Sequence, residues 1–239
     1  MMTPTRPASG NGARGAALYV VLVVLLLTAM LALWSARSAL FNERLTGNES
    51  DYQRAFEAAQ AMLADAQLDI QQLQADGMPC ESEADAPLKC RATIAEHWRF
   101  DASGLPDMLA HLASLPTGCA HGLCVRRDGA QDFWSDRVLL AQMTVDGVGA
   151  RFGQFTSAAA LATTRSDADL QHAWYWIEIL PYPAPQVALL TRFQDNTLVR
   201  QFAPHSARPW MVRITALARG QRAGTEVVLQ TVVVQHPLE

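Results

Sequence analysis

Covalent chemistry in this chain is offered first by its four cysteines: Cys80, Cys90, Cys119 and Cys124. Three ways of pairing them into two disulfides are open. Pairing between sequence neighbours would close two short loops and stabilise the fold by about 2–3 kcal/mol per bond. A zinc site formed by Cys119, His121 and Cys124 with His111 is the alternative, but C-x-H-x-x-C is not a common spacing for structural zinc. We expect disulfides, no metal and no cofactor.

The groups needed for acid, base or nucleophilic catalysis are present but form no known motif. Ser135, Asp136 and His172 can be combined into a triad, yet their order and spacing give that combination no support. The motifs G-x-S-x-G and H-E-x-x-H and the Gly-rich phosphate-loop motif G-x-x-x-x-G-K-[ST] are absent. Glu178 interrupts the apolar segment AWYWIEIL; we interpret it as an outward strand residue, with a charge facing a partner as the alternative. No enzyme is predicted.

The peptide bond between Gly15 and Ala16 separates a basic, Gly/Pro-rich leader from a charge-free stretch. That stretch, residues 16–34, reads AALYVVLVVLLLTAMLALW. As a helix it would be roughly 28 Å long at about 1.5 Å per residue, close to the ~30 Å hydrocarbon thickness of a bilayer. The sequence therefore predicts one membrane span, with Gly15–Ala16 as a candidate cleavage point at its start.

The flanking charges predict the orientation of this span. Arg6 and Arg14 precede it with no acidic residue before them, so the N-terminus is expected in the cytoplasm and the remainder outside. A secretory signal peptide cut near Ala39 is one alternative, and a plain membrane anchor is another. The apolar stretch is longer than a usual signal-peptide core, and the residues after it continue a helical pattern. The cysteines then lie in an oxidising compartment, where disulfides persist.

Length and charge limit the other possibilities. Of the 239 residues, about 200 follow the leader and span, enough for one domain with its own core. The net charge of −4 provides no basic surface of the kind that nucleic-acid binding requires. We expect one exterior domain and no nucleic-acid partner.

A long helix is predicted to continue beyond the membrane. Apolar side chains recur at steps of three and four, at Tyr52, Phe56, Ala59, Leu63, Ala66, Ile70 and Leu73. This stripe is expected to pack on the protein's own sheet, with a seam for a partner as the alternative. The face opposite carries charged residues: Asp51, Arg54, Glu57, Asp65 and Asp69. Residues 46–49 predict a kink, and Gly77 and Pro79 predict the helix end near residues 75–77.

Strand signals dominate the second half of the chain. A short helix is expected over residues 106–115, with Ser103 as a possible cap. Strands are expected over residues 137–145, 173–180, 187–193, 210–217 and 225–235. The last two are joined by ARGQRAG, which suits an antiparallel hairpin. The predicted fold class is α+β, a long N-terminal helix packed on a C-terminal antiparallel sheet.

Together these features resemble type IV pilins, and more specifically the PilX family of minor pilins. The matching segments lie at both ends and in parts of the middle: residues 14–18 (RGAAL), 42–48 (NERLTGN), 55–61 (AFEAAQA), 153–156 (GQFT), 175–178 (YWIE), 213–216 (RITA) and 224–230 (GTEVVLQ). Residues 76–150 carry no family motif. The N-terminal block is the most specific part of the match.

The resemblance implies a division of the chain and a set of partners. Residues 1–15 would be a prepilin leader, 16–36 the transmembrane helix, 37–76 its periplasmic amphipathic half and 77–239 a periplasmic globular domain. A prepilin peptidase would cut between Gly15 and Ala16, and Ala16 would be N-methylated. The other partners implied are membrane lipid, the inner-membrane assembly platform, further minor pilins and the major pilin, with the pilus as final location.

One position departs from the usual pilin pattern. Most pilins have Glu at the fifth mature residue, where it pairs with the N-terminal amine of the subunit ahead; here that residue is Val20. A subunit placed first has no amine ahead of it, which predicts a role at the tip or in initiation. The alternatives are a minor pseudopilin of a type II secretion system and, further off, a single-span periplasmic enzyme or binding module.

Overall fold

The first and longest element is the helix α1, Ala13–Gln71. In the computed structural model, the described residues are 13–80, 91, 103–129, 131–158, 172–181, 204 and 210–234. The chain divides into two compact units, Met1–Ser50 and Asp51–Glu239, which are described separately below. Residues 46–49 are helical throughout, so Gly47 and Asn48 weaken helix propensity without ending α1.

The end of α1 differs from the prediction. The helix stops at Gln71, several residues before Gly77, because Gln72 adopts a left-handed conformation with φ of 58°. The amide of Leu73 then donates to the carbonyl of Leu68 at 3.0 Å, the bond that closes a Schellman-type helix end. Gly77, with φ of 83°, serves the following turn over residues 74–78 instead.

Helix α2, Leu105–Ser114, lies close to its predicted position. Pro106 occupies the first turn, where its missing N–H costs no helical hydrogen bond. The N-cap is Gly104 without a side-chain hydrogen bond, so the expected cap by Ser103 is wrong. Leu105, Met108 and Leu112 are its buried residues.

Five strands form one sheet in the order β1-β2-β3-β4-β5. They are β1 Cys119–Ala120, β2 Leu123–Val125, β3 Ala173–Pro181, β4 Trp210–Arg219 and β5 Glu226–Val234. Neighbours are antiparallel except β2 and β3, which are parallel. The α+β class, strands β3 to β5 and the β4–β5 hairpin are confirmed, whereas β1, β2 and the parallel pair were not predicted. The strand expected at residues 187–193 lies outside the described residues.

Residues 137–145 are not the predicted strand. A 3₁₀ turn, Phe133–Ser135, leads into helix α3, Arg137–Met143. The Asp136 carboxylate accepts hydrogen bonds from the amides of Val138 at 2.8 Å and Leu139 at 3.2 Å, which caps the helix. A capping aspartate immediately before the segment outweighs the β-propensity of its Val and Leu residues.

Apolar side chains cover both faces of the sheet. One face, which includes Tyr175, Ile177, Val212 and Ile214, packs with buried residues of α1 and α2. The opposite face packs under the 3₁₀ turn and α3. The buried residues of this second cluster, from the sheet, the turn and the helix, are Cys119, Cys124, Phe133, Leu140, Met143, Trp174, Trp176 and Leu217. The sheet is therefore the middle layer of the Asp51–Glu239 unit, and the residues of α1 in that unit belong to its core.

Candidate assembly site

The N-terminal unit presents an apolar helical surface. Gly15 and Ala16 lie in the first turns of α1. From Leu18 to Trp34 the large apolar side chains other than Val23 are at least 51% exposed, and Val20 is 57% exposed. The segment of α1 from Ala17 onward is long and apolar enough to cross a membrane, by length and composition. Such a surface requires lipid or other apolar helices around it, so this part of the chain is suited to a single-pass membrane anchor.

The part of α1 in the second unit packs on the protein's own core, as predicted, but its buried face coincides only in part with the predicted stripe, whose Phe56 and Leu63 are half-buried. The buried residues are Asp51, Ala55, Ala58, Ala59, Met62, Asp65, Ala66, Asp69 and Ile70. Tyr52, at the start of the predicted stripe, is 47% exposed and stacks on Phe56 with ring centroids 6.4 Å apart. The packing face is therefore rotated toward small residues, and it includes three aspartates that the sequence analysis placed opposite it.

Asp51 ties α1 to the loop between β4 and β5. Its carboxylate accepts hydrogen bonds from the amides of Gln221 at 2.8 Å and Arg222 at 3.1 Å. Gly220 leaves room for this contact, because a Cβ at that position would lie 2.4 Å from the Asp51 Oδ2 atom. The contact fixes the loop against the first residue of the second unit.

Asp69 and Asp65, one turn apart on α1, enter a buried polar network. The Asp69 carboxylate accepts hydrogen bonds from Nε and Nη2 of Arg91, the shortest at 2.6 Å, and from the Tyr175 hydroxyl at 2.7 Å. The Asp65 carboxylate accepts from the amide of Gly153 at 2.8 Å and from the Thr156 hydroxyl. These bonds join α1 to β3, to Arg91 and to the turn at residues 153–156.

The electrostatics of this network follow from burial and pairing. Burial opposes the charge on Arg91, but Asp69 outweighs it and raises the pKa of the guanidinium. Burial, reinforced by Asp69, raises the pKa of Tyr175 well above its ordinary value, so the phenol keeps the proton it donates. Burial, and then Arg91, lower the pKa of His121. The carboxyl of Asp65 has its pKa raised to about 6, chiefly by burial.

Glu178 lies on the sheet face under α3 and is 8% exposed. It pairs with Arg213, its direct neighbour on β4, with Nε to Oε2 at 2.7 Å. Its second oxygen accepts the amide of Arg127 at 2.6 Å. Glu178 lies on the sheet face expected for an outward strand residue, but its side chain is buried and hydrogen-bonded within the protein. The alternative of a charge that faces a partner protein therefore has no support.

Cys119 and Cys124 form a disulfide between directly opposed residues of β1 and β2. Both sulfur atoms are thereby removed as thiolate ligands, which argues against the zinc alternative. The two-residue turn between the strands uses His121 with φ of 48° and Gly122 with φ of 79°, the left-handed pair that a type I′ hairpin requires. Cys80 is also disulfide-bonded, whereas Cys90 lies outside the described residues.

The described residues bear on both the candidate triad and the candidate metal site. Asp136, one member of the triad considered above, is occupied as the cap of α3. No group of three or more His, Cys, Asp or Glu side chains among those residues is arranged to hold a metal ion.

A long apolar N-terminal helix followed by a mostly antiparallel C-terminal sheet defines a pilin-like protein. Two family models match the chain, PilX N-terminal over residues 14–64 and type IV pilus assembly protein PilX C-term over residues 120–235. The chain belongs to the PilX family of type IV pilus assembly proteins, a structural family rather than a catalytic one. No curated protein and no solved structure matches it significantly.

Proposed function

We propose that this protein is a minor pilin that primes pilus assembly from the tip or the initiation complex and catalyses no reaction. The family match supports a role in type IV pilus assembly. The observation that carries the finer assignment is Val20, an apolar residue where pilins that join behind another subunit usually place glutamate. Deleting the gene distinguishes the pilus from the pseudopilus alternative. Loss of pili with secretion intact assigns the protein to the pilus.

Maturation and topology belong to the same proposal. A prepilin peptidase removes residues 1–15, and Ala16 becomes the methylated N-terminus. The span at residues 16–36 crosses the inner membrane with its start in the cytoplasm, and residues 37–76 and 77–239 form the periplasmic helix and domain. The apolar side chains of α1 then contact lipid before assembly and neighbouring pilin helices afterwards.

The energetic reason concerns a charge in an apolar environment. An acidic residue within a membrane helix is costly and is retained where it finds a partner. The partner of a pilin glutamate is the amine of the subunit ahead. A subunit that is first in the filament gains nothing from that carboxylate, and valine avoids its cost.

Substituting Val20→Glu tests this position directly. With no amine to meet, the carboxylate is expected to hinder initiation and lower the number of pili per cell severalfold. Pili are counted by electron microscopy, and the membrane level of the protein is measured by immunoblot so that loss of the subunit is not mistaken for loss of initiation.

Val21→Glu is the matched control. Val21 is 54% exposed on the same helix, but it is not the fifth mature residue, so a carboxylate there is not placed to pair with the amine of another subunit. The tip assignment predicts equal defects in the two variants. Wild-type piliation with Val20→Glu would show that a partner amine is available and that the subunit enters behind another. Immunogold labelling spread evenly along pili would also reject the tip position.

Mass spectrometry of the protein extracted from membranes tests the maturation step. The expected N-terminal peptide begins at Ala16 and carries one added methyl group. A prepilin-peptidase deletion strain, in which the leader should remain, is the control. A chain that still begins at Met1 in the wild type, or one cut near Ala39, overturns the processing proposal.

A further inference from the structure

The two carboxylates of the buried network differ in their partners. Asp69 is matched by the guanidinium of Arg91, with three contacts of 2.6–2.9 Å. Asp65 accepts its hydrogen bonds from neutral donors, the amide of Gly153 and the hydroxyl of Thr156. Both carboxylates are about 2% exposed. Among the described residues, two buried acids therefore share one cation, and ionising both leaves this network with a net negative charge out of contact with water.

A buried charge without a counter-charge is expensive, and a carboxyl group avoids the cost by keeping its proton. Asp65 can do so without losing the turn, because a hydroxyl such as that of Thr156 both donates and accepts. Since Asp65 joins α1 to residues 153–156, its protonation state alters how favourably that turn is bound.

We propose that Asp65 is a proton-sensitive contact between α1 and the turn at residues 153–156, so that mild acidification strengthens the packing of the globular unit. This contact lies in the described part of the second unit and is independent of the N-terminal assembly function. It acts through the buried face of α1 and needs no ligand.

The sign follows from the direction of the pKa change. The pKa of Asp65 is raised from 3.8 to about 6, so the folded protein holds this proton more tightly than the unfolded chain. The stabilisation is then fully present below pH 3.8 and is lost progressively as the pH rises from that value through about 6. From these two pKa values, the unfolding equilibrium constant should be about tenfold smaller at pH 5 than at pH 7.5.

The ionisable groups around Asp65 come from several segments. Asp69 lies on the same helix, and Arg91 and Tyr175 belong to the network. The charge of Arg91 also lowers the pKa of His121. The lowered pKa of His121 works in the opposite direction, because a neutral buried imidazole favours folding as the pH rises. The pH dependence of wild-type stability is therefore a sum of contributions from several groups. The difference in stability between the wild type and Asp65→Asn isolates the contribution of Asp65.

The test compares urea unfolding of the full-length protein in detergent with that of Asp65→Asn, between pH 4.5 and 8. The ratio of the two unfolding constants should change about tenfold between pH 5 and pH 7.5. Asp146→Asn is the matched control, since that side chain is 95% exposed, and it should leave the wild-type profile unchanged. A ratio for Asp65→Asn that is constant with pH overturns the proposal.

Thr156→Val provides a second variant that keeps the carboxyl. Removing the hydroxyl takes away a donor that favours the ionised form, so the pH at which the stabilisation is lost should move upward. An unchanged or lowered midpoint contradicts the role assigned to this contact, whatever Asp65→Asn does.

Discussion

Replacing Arg91 with methionine is expected to lower the free energy of unfolding by about 3–5 kcal/mol, because it strands the Asp69 carboxylate in the core without its cation. Arg91 is 3% exposed, and its guanidinium also lies 3.9 Å from the centroid of the Phe155 ring. Methionine retains much of the apolar volume, so the loss should come from charge. Urea unfolding of the full-length protein in detergent, followed by tryptophan fluorescence, measures it.

A double variant separates charge from packing. Adding Asp69→Asn to Arg91→Met removes the stranded carboxylate and is expected to recover part of the loss, since replacing both members of a buried pair is often close to neutral. Arg126→Met, at an exposed position of the same residue type, should change stability by less than about 0.5 kcal/mol. A double variant no more stable than Arg91→Met would contradict the assignment of the loss to the stranded charge.

Gly122→Ala, in the turn between β1 and β2, should lower the free energy of unfolding by about 3–4 kcal/mol. Gly122 has φ of 79°, and an added Cβ would lie 2.5 Å from the Cβ of Ala150. Relieving that overlap must disturb two short bonds, from the Gly122 amide to Val148 at 2.7 Å and from the Ile177 amide to Gly122 at 2.6 Å. Thermal unfolding followed by circular dichroism provides the measurement.

Gly224→Ala is the matched comparison for that variant. Gly224 has φ of 94° in the β4–β5 hairpin, but an added Cβ meets nothing within 4 Å. It should therefore show only the left-handed penalty of about 1–2 kcal/mol. Equal losses in the two variants would mean that the close approach to Ala150 contributes nothing.

The sequence was a good guide where one local signal acted alone. The apolar run and the helical period of apolar residues predicted α1, and the connection ARGQRAG between two strand-like segments predicted the hairpin. The failures have local causes. Asp136 caps a helix where Val138 and Leu139 favoured a strand, and Gln72 ends α1 in a conformation that the sequence would assign to glycine.

The helical period of apolar residues could not predict the buried polar network. A helical pattern counts Asp65 and Asp69 as polar and assigns them to the outer face. Their partners Thr156 and Tyr175 lie 91 and 106 positions away in the chain, so no local signal connects them. Two acids at a spacing of four among small residues such as Ala58, Ala59 and Ala66 were the available hint, since small residues permit close approach of another segment.

The bond between Asp51 and the amide of Gln221 spans 170 positions of sequence. A contact of that separation forms only after nearly the whole chain has been synthesised, and long loop closure is slow compared with helix formation. Until the β4–β5 loop is made, the first buried residue of α1 therefore lacks its hydrogen-bond partners. The time needed to make the C-terminal strands sets the length of that interval.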